Sequence, residues 1–446
     1  MPPGNDSLVA ERSDATAESY GPAGPGPVHR HVVLACAVWV GSYMGRHVPV
    51  PAVPRWPLVV VAVCAFRIRG LRAAAVLLLL VGLAGGAREW SAPSLPAGPC
   101  GGTARLVDDP RSFGAATSAV VEVHGRRVRA YAYGRSGGRL SRMLAGETAR
   151  MEGTCAPVAP ARRARELVSH VVGRMSLESV SENRGDGGGL HRGANRVRRL
   201  LVSGTRTMSR ETAALFAGLV IGDDRDQSRE MVEQFRRSGL SHLCSVSGQN
   251  VVYLLAAFGP LTRRLRPGGR LAATFAVLAW FVVLTRAEPS VLRAAAMAAV
   301  VAVNFFRGRS MNARSVLAVS VTGLLLLDPL LAHSVGFALS AGATAGLAWL
   351  SAPLERRGIP GVLAATVAAQ AGTLPVSLLV FGRLSFVSLV ANPLAVPVAG
   401  FVMLFGIPVA LVAGLLPDPA ATVLAATMSV PVSFVAAVAR VCARFP

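Results

Sequence analysis

Apolar residues fall along this chain in blocks. Nearly uninterrupted apolar runs occupy residues 73–84, 271–284, 294–306, 316–327, 335–350, 362–381, 401–416 and 420–438. A helix of about 20 apolar residues, rising 1.5 Å per residue, matches the roughly 30 Å hydrocarbon layer of a bilayer. The blocks therefore predict a polytopic α-helical membrane protein with about ten or eleven spans. Residues 1–27 are polar, mixed in charge and end in GPAGPGP. They read as a disordered leader with no cleavable signal peptide, and the first span begins near His31.

Between residue 87 and about 209 the pattern changes. "TARLV", "SAVVEVHGRRVRAYAYG" and "ETARMEGTC" alternate apolar and polar positions and predict short strands, with His124-Gly125 as a two-residue turn. Short strands so closely spaced predict a small β-barrel. Period-2 alternation puts Arg127, Arg129, Tyr131 and Tyr133 on one strand face. That face is either a solvated surface over a small core or a nucleic-acid surface, with rings stacking on bases and guanidinium groups meeting phosphates. Residues 161–199 are rich in Arg, Gly and Ser, with a flexible "ENRGDGGG" centre, and "HRGANRVRRLLVSGTRTMS" predicts a basic amphipathic helix on the bilayer surface.

Charge sharpens this picture. The chain is 52% hydrophobic yet carries a formal charge of +22, and all 46 basic residues are arginine. Without lysine, a phosphate-binding G-x4-G-K-[ST] loop and a Schiff base are both excluded, so energy for transport comes from a gradient or a partner. Arginines cluster at 67, 69 and 72, at 263–270, at 307–314 and at 356–357. The positive-inside rule puts all four clusters in the cytoplasm and residues 87–209 outside. An outside location permits a disulfide between Cys100 and Cys155, which bracket the strand region; free thiols are the alternative.

Polar residues interrupt the second half of the chain. In "SGLSHLCSVSGQNVVYLLAAF", His242, Ser245, Ser247, Gln249 and Asn250 lead directly into an apolar run, with Gly239 and Gly248 able to break the backbone. Such groups cannot face hydrocarbon unpaired, so they either bond neighbouring helices or line a water-filled path. Arg286, Glu288 and Arg293 surround a proline between two spans, and Asn304, Asp328, His333, Gln370, Arg383 and Asn392 mark later ones. "VANPLAVPVAG" predicts a broken or re-entrant helix. Asp223, Asp224 and Asp226 precede "SREMVEQFRRSG"; they read as caps of that helix, with a divalent metal site as the alternative.

These residues carry a family resemblance. "LFAGLVIGDDRDQSREMVEQFRRSGLSHLCSVSGQNV" resembles the signature of the ComEC family of natural-competence membrane channels. "EPSVLRAAAMAAV", "LLLLDPLLAHSVGFALSAGATAGL" and "AAQAGTLPVSLLVFGRLSFVSLVANPLAVPVAG" are similar to three further family segments, in order, over residues 211–416. Many relatives read Ser-Gly-Leu-His where this chain has Ser247, Gly248, Gln249 and Asn250. The resemblance implies a leader (1–30), N-terminal transmembrane helices (31–86), an external OB-like domain (87–160), a basic linker with the amphipathic helix (161–209) and a channel domain (210–446). It also implies a plasma-membrane channel for single-stranded DNA, acting by conduction rather than catalysis, with no cofactor and no metal; the alternatives are a secondary transporter of a small anion or lipid-linked metabolite and a non-conducting scaffold of an uptake complex. The channel's pathway residues are His242, Ser245, Ser247, Gly248, Asn250, Arg293 and Asn392. The metal motif H-x-H-x-D-H of the family's metallo-β-lactamase-like domain has no match here, since His29–His31 is followed by no acid. Strand degradation is thereby assigned to a separate nuclease. The remaining partners implied are membrane lipids, an external DNA receptor and a cytoplasmic ATPase, with a homo-oligomer as one possible assembly.

Overall fold

The computed structural model describes residues 27–48, 55–68, 70–244, 248–382 and 387–445. The leader up to residue 26, Arg69, Ser245, Ser247 and Arg383 lie outside the described residues.

Three helices open the chain: α1 (Pro27–Met44), α2 (Arg55–Arg67) and α3 (Leu71–Trp90). The first and third lie side by side and parallel, Gly41 against Leu79 and Gly45 against Ala87, so α2 is the return stroke. The sequence then forms a sheet: β1 (Gly98–Leu106), β2 (Arg111–Phe113), β3 (Ala116–Val123), β4 (Arg126–Tyr133), β5 (Thr148–Pro157) and β6 (Val171–Gly185), with short helices α4 (Gly134–Ser141) and α5 (Pro160–Leu167) between strands. Its order is β1-β5-β6-β4-β3-β2, and an added antiparallel β1–β3 pairing curls it back on itself. The expected turn joins β3 to β4, with His124 at φ 49° and Gly125 at φ 74°, the left-handed pair that such a hairpin needs. Alternate residues Ala104, Leu106, Val121, Val128, Ala130, Met151 and Met175 fill its core.

The segment expected to be a linker holds the longest strand. β6 pairs antiparallel with β5 and parallel with β4. Val171, Gly173, Met175 and Leu177 point inward at period 2, and the phase slips after Leu177, where the β5–β6 register shifts.

A helical region follows: α6 (Gly189–Gly204), α7 (Arg210–Ile221), α8 (Arg229–Arg237), α9 (Ser241–Cys244), α10 (Gly248–Thr262), α11 (Pro267–Leu284), α12 (Pro289–Phe306), α13 (Ala313–Leu327), α14 (Val335–Arg356), α15 (Gly361–Phe381), α16 (Ser388–Leu415) and α17 (Asp418–Cys442). Among the described residues seven helices (α3, α11, α12, α14, α15, α16 and α17) are long and apolar enough to cross a membrane, fewer than expected. The shortfall is partly one of length, since α2, α10 and apolar α13 have only 13, 15 and 15 residues, and partly one of composition, since α1 has 18 residues but carries His29, Arg30 and His31. One core joins α6, α7, α8, α10, α11, α12, α16 and α17, and a second joins α1, α2, α3, α13 and the start of α14.

Two expectations need correction. The amphipathic helix α6 does form, but its buried face is taken by protein. Gly204 and Gly414 bring its backbone against that of α16: a Cβ on either would sit 2.1 Å from Ala410 O or 2.5 Å from Leu200 O. The proline-rich segment is not broken either. α16 runs 28 residues through Pro393, Pro397 and Pro408, with Ala391, Ala395 and Ala399 buried along one side. Close packing on that small-residue stripe offsets the missing amide donors.

Contacts with the sheet define one end of the bundle. Arg286, after α11, bonds Asp109 of the β1–β2 turn, and Asp328, after α13, lies 3.0 Å from His170 before β6. At the other end of these helices lie Arg263–Arg270, Arg307–Arg314 and Arg356–Arg357, while Arg30 donates to Ile68 O at 2.5 Å beside Arg67 and Arg72. All four arginine clusters are thus remote from the sheet.

Cys100 and Cys155 form a disulfide between β1 and β5, with Cα atoms 5.7 Å apart. Closing a 55-residue separation stabilises such a unit by about 4 kcal/mol in the chain-entropy picture. Maleimide labelling of the denatured chain should therefore add four groups, on Cys36, Cys64, Cys244 and Cys442, and six after reduction. Six adducts without reductant would rule the bond out.

Candidate functional site

Ser228 accepts from Met231 N–H and caps α8, whose Met231 and Phe235 are buried one turn apart. Gly239, at φ 74°, then turns the chain through a conformation that favours glycine, and the short α9 follows. His242 is exposed on α9, its Nδ1 3.2 Å from Gly239 O.

Gly248 opens α10 against Arg293 of α12. A Cβ at Gly248 would lie 3.1 Å from the Arg293 Nη2, so glycine leaves room for the guanidinium. Arg293 is 7% exposed. Its Nε donates to Ser340 Oγ at 2.8 Å and its Nη1 to Thr344 Oγ1 and, at 3.4 Å, Met297 Sδ. Among the described residues no carboxylate pairs with it. A buried cation held only by neutral groups keeps much of its desolvation cost, several kcal/mol.

Two asparagines with unpartnered amide atoms lie on α10 and α16. Asn250 is 6% exposed, and among the described residues neither atom of its amide has a hydrogen-bond partner; nor does the buried Oδ1 of half-buried Asn392 on α16. α10 packs against α12 and α16, and Tyr253 of α10 meets α16 at Gly400, where a Cβ would be 2.8 Å from its hydroxyl. Structure thus brings Gly248 and Arg293 together, with Asn250 and Asn392 on the adjoining helices. Of the other polar positions, Asn304 bonds its own helix at Val300 O, Gln370 donates to Ser388, and His333 accepts from Trp90 Nε1 at 3.2 Å. In β4, Arg127, Arg129, Tyr131 and Tyr133 alternate with buried Val128, Ala130 and Ala132, and Arg129 Nε donates to both carboxylate oxygens of Glu166, at 2.8 and 3.0 Å.

Where the sheet meets the helices, Arg286 and Asp223, both marked in the sequence, join Asp109 and Arg198, which were not. Asp109 receives Arg286 through Nε at 3.0 Å and Nη2 at 2.9 Å, Arg198 Nη2 at 2.9 Å, and the Ala145 N–H at 2.8 Å. Arg198 also binds Asp223 at 2.8 Å, and Asp223 takes two bonds from Arg225 at 2.6 and 2.7 Å. The side chains of Asp109, Arg198, Asp223 and Arg286 are 8%, 4%, 7% and 11% exposed. Arg198 shares α6 with the arginines of its outer face but points inward; only its three-dimensional partners mark it out. Asp223 is therefore an ion-pair residue rather than a helix cap, and Asp224 pairs with Arg111 at 3.1 Å. Among the described residues no group of three or more His, Cys, Asp or Glu is arranged to hold a metal.

Electrostatics at this collar pull in two directions. Burial works against ionised Asp109, but Arg198, Arg286 and Arg225 outweigh it and hold its carboxyl below the usual range. Burial likewise opposes ionised Asp223, yet its hydrogen bonds to Arg225 and the charge of Arg198 bring it to about 2. Glu288 lies just before α12; burial, then the charge of Asp224, pushes it up to about 7. Arg286 and Ala287 both adopt left-handed backbone, φ 61° and 54°, a strain of about 1–3 kcal/mol each that the ion pairs hold in place.

A model of the family described as "Competence protein" matches residues 219–446. The chain is 27% identical over 215 residues to "ComE operon protein 3" of Bacillus subtilis (strain 168), covering 47% of this chain and 28% of that protein. It is 28% identical over 209 residues to "Uncharacterized protein YcaI" of Escherichia coli (strain K12), covering 42% of this chain and 28% of that protein. It thus spans less than a third of either relative's length. No solved structure matches the chain.

Asp109→Asn, which leaves two buried guanidinium groups short of a counter-charge, should lower stability by about 3–5 kcal/mol, read by thermal unfolding in detergent. A second, pH-based test follows from the carboxyl shifts. The depressed pair contributes fully above the ordinary carboxylate pKa, and the contribution is lost as pH falls through the folded values, about 2 for Asp223. Glu288 has the opposite sign: its contribution is complete below 4.5 and lost as pH rises toward about 7. The unfolding midpoint should peak between these windows, and Glu288→Gln should flatten the decline toward neutral pH. An unchanged decline in that variant would remove Glu288 as its source.

Proposed function

We propose, on the premise that this chain belongs to the competence protein family, that it conducts single-stranded DNA inward across the plasma membrane during natural transformation. The observation that carries this reading is Arg293, a buried cation at the junction of α10 and α12 that has no carboxylate partner among the described residues. A passing phosphodiester supplies the missing counter-charge, and because each phosphate leaves as the next arrives, the cation holds none of them permanently. Gly248 gives the guanidinium room, while the buried amide of Asn250 and the buried Oδ1 of Asn392, unpartnered among the described residues, are matched by water or a base edge. His242, Ser245 and Ser247 belong to the same approach. No covalent step is required of the protein; its role is conduction.

Sidedness follows from two independent features. The disulfide suits an oxidising exterior, and the four arginine clusters at the opposite helix ends suit the cytoplasm. Residues 87–209 are thus read as external. Their curled sheet is read as an OB-like barrel, supported by the β1–β3 pairing and the parallel β4–β6 pair. On its surface Arg127, Tyr131 and Tyr133 present cation and rings to a strand; Arg129 contributes less because Glu166 neutralises it. An external DNA receptor, a separate nuclease and a cytoplasmic ATPase complete the proposed machinery, in which the chain acts alone or as a homo-oligomer.

The test is flux of fluorescent oligodeoxynucleotide into vesicles holding the full chain. Wild type should pass it, Arg293→Gln should reduce flux at least about tenfold, as expected if roughly 1.4 kcal/mol of charge stabilisation is lost, and Arg293→Lys should retain much of it. Vesicles that pass small anions but no oligonucleotide would sink the DNA reading in favour of a compact anion transporter.

A further inference from the structure

The outer face of α6 borders an open cavity of about 540 Å³, lined by Asp186, Arg192, Arg196, Arg199, Leu200 and Ser203. That volume falls within the roughly 300–1,000 Å³ typical of ligand pockets. At 100° per residue, positions 192, 196, 199 and 203 share one helix face, opposite the side that buries Ala194, Arg198 and Leu201. The three guanidinium groups rise in steps of roughly 6 and 4.5 Å along the axis.

Charge is what distinguishes this face. Arg199 is paired with Glu147 at 3.2 Å, whereas among the described residues neither Arg192 nor Arg196 takes part in an ion pair. Three arginines face one acid, Asp186, so the lining keeps a formal excess of two positive charges. Nothing in the packing of α6 explains them, because its inner face alone docks on α16, α11 and the collar. They are exposed, so they do not hold the fold.

We infer that this face is a phosphodiester-binding station for single-stranded DNA, placed just before the buried pathway. The inference rests on the DNA-conduction reading and gives it a docking point. Two observations favour a nucleic acid over a lipid. The face looks away from the helices that bury the other side of α6, and Leu200 is the one apolar residue in the lining, too little to receive acyl chains. Position supports it further: Arg198, on the inner side of the same helix, is tied through Asp109 to Arg286, seven residues before Arg293. A strand held by Arg192 and Arg196 lies one helix thickness from the collar.

Binding of a labelled oligothymidylate to the full chain in nanodiscs of neutral lipid, followed by anisotropy across a salt series, tests this. Each phosphate contact on a single strand contributes about −0.7 to the log–log salt slope. Arg192→Gln/Arg196→Gln should reduce the slope by about 1.4, whereas Arg192→Lys/Arg196→Lys should restore it. An unchanged slope in the Gln variant, with wild type binding normally, overturns the station and leaves the conduction reading standing. Absence of binding by wild type at low salt removes both. Loss of co-purifying anionic lipid in the Gln variant without change in oligonucleotide binding identifies a lipid headgroup instead, and overturns the inference.

Discussion

Everything on the sheet side of the bundle depends on one buried carboxylate. Asp109 leaves the β1–β2 turn and reaches two guanidinium groups, Arg198 on α6 and Arg286 between α11 and α12. Neither arginine has another route out of low dielectric: Arg198 spends its other hydrogen bonds on Leu284 O, Ile221 O and Asp223, and Arg286 on Asn195 Oδ1 and Ala145 O. Such a pair rarely adds net stability over a packed apolar equivalent, but removing one partner is costly. Its role is therefore one of specification. It fixes where the sheet sits, and it fixes the strained turn from which α12 starts. Arg293 is about one turn into that helix, so the geometry of the buried cation is inherited from a contact with the sheet.

Much of this fold was readable because local chemistry and tertiary structure agree. The β3–β4 hairpin was written in alternating residues around His124-Gly125, and the disulfide in two cysteines bracketing a strand region. α8 was written in Ser228 followed by Met231 and Phe235. β6 was missed although its alternation is present. Arg174, Ser176 and Glu178 lower the average hydropathy, and the phase slip before Val180 hides the period from a window of ordinary length. Composition overruled period there, and period was right.

The candidate site was legible in kind but not in arrangement. A glycine beside polar residues announced that something must be accommodated, and Gly248 accommodates Arg293, 45 positions later in the sequence. Asp109 and Arg198 gave no such notice. A carboxylate in a turn and an arginine in a basic helix are ordinary in isolation, and only their burial together makes them exceptional. Asp223 and Asp224 misled for a related reason: a cap and an ion pair place the same residue type just before a helix, and the choice depends on which cation reaches it.

Arginine stands in place of lysine throughout this chain, and its positions sort into those paired with carboxylates and those not paired. Those with carboxylate partners, such as Arg198, Arg225 and Arg129, organise backbone and hold elements together. Among the described residues many others have no carboxylate partner; of these, Arg293 is buried in the bundle and Arg192 and Arg196 share the outer face of α6, so their charge is left without a counter-ion. A guanidinium remains protonated even when buried, so a membrane protein cannot discharge such a group by titration. On the conduction reading proposed above, an arriving polyanion supplies the counter-charge to Arg192, Arg196 and Arg293, while the carboxylate-paired arginines of the collar hold the elements between them in place.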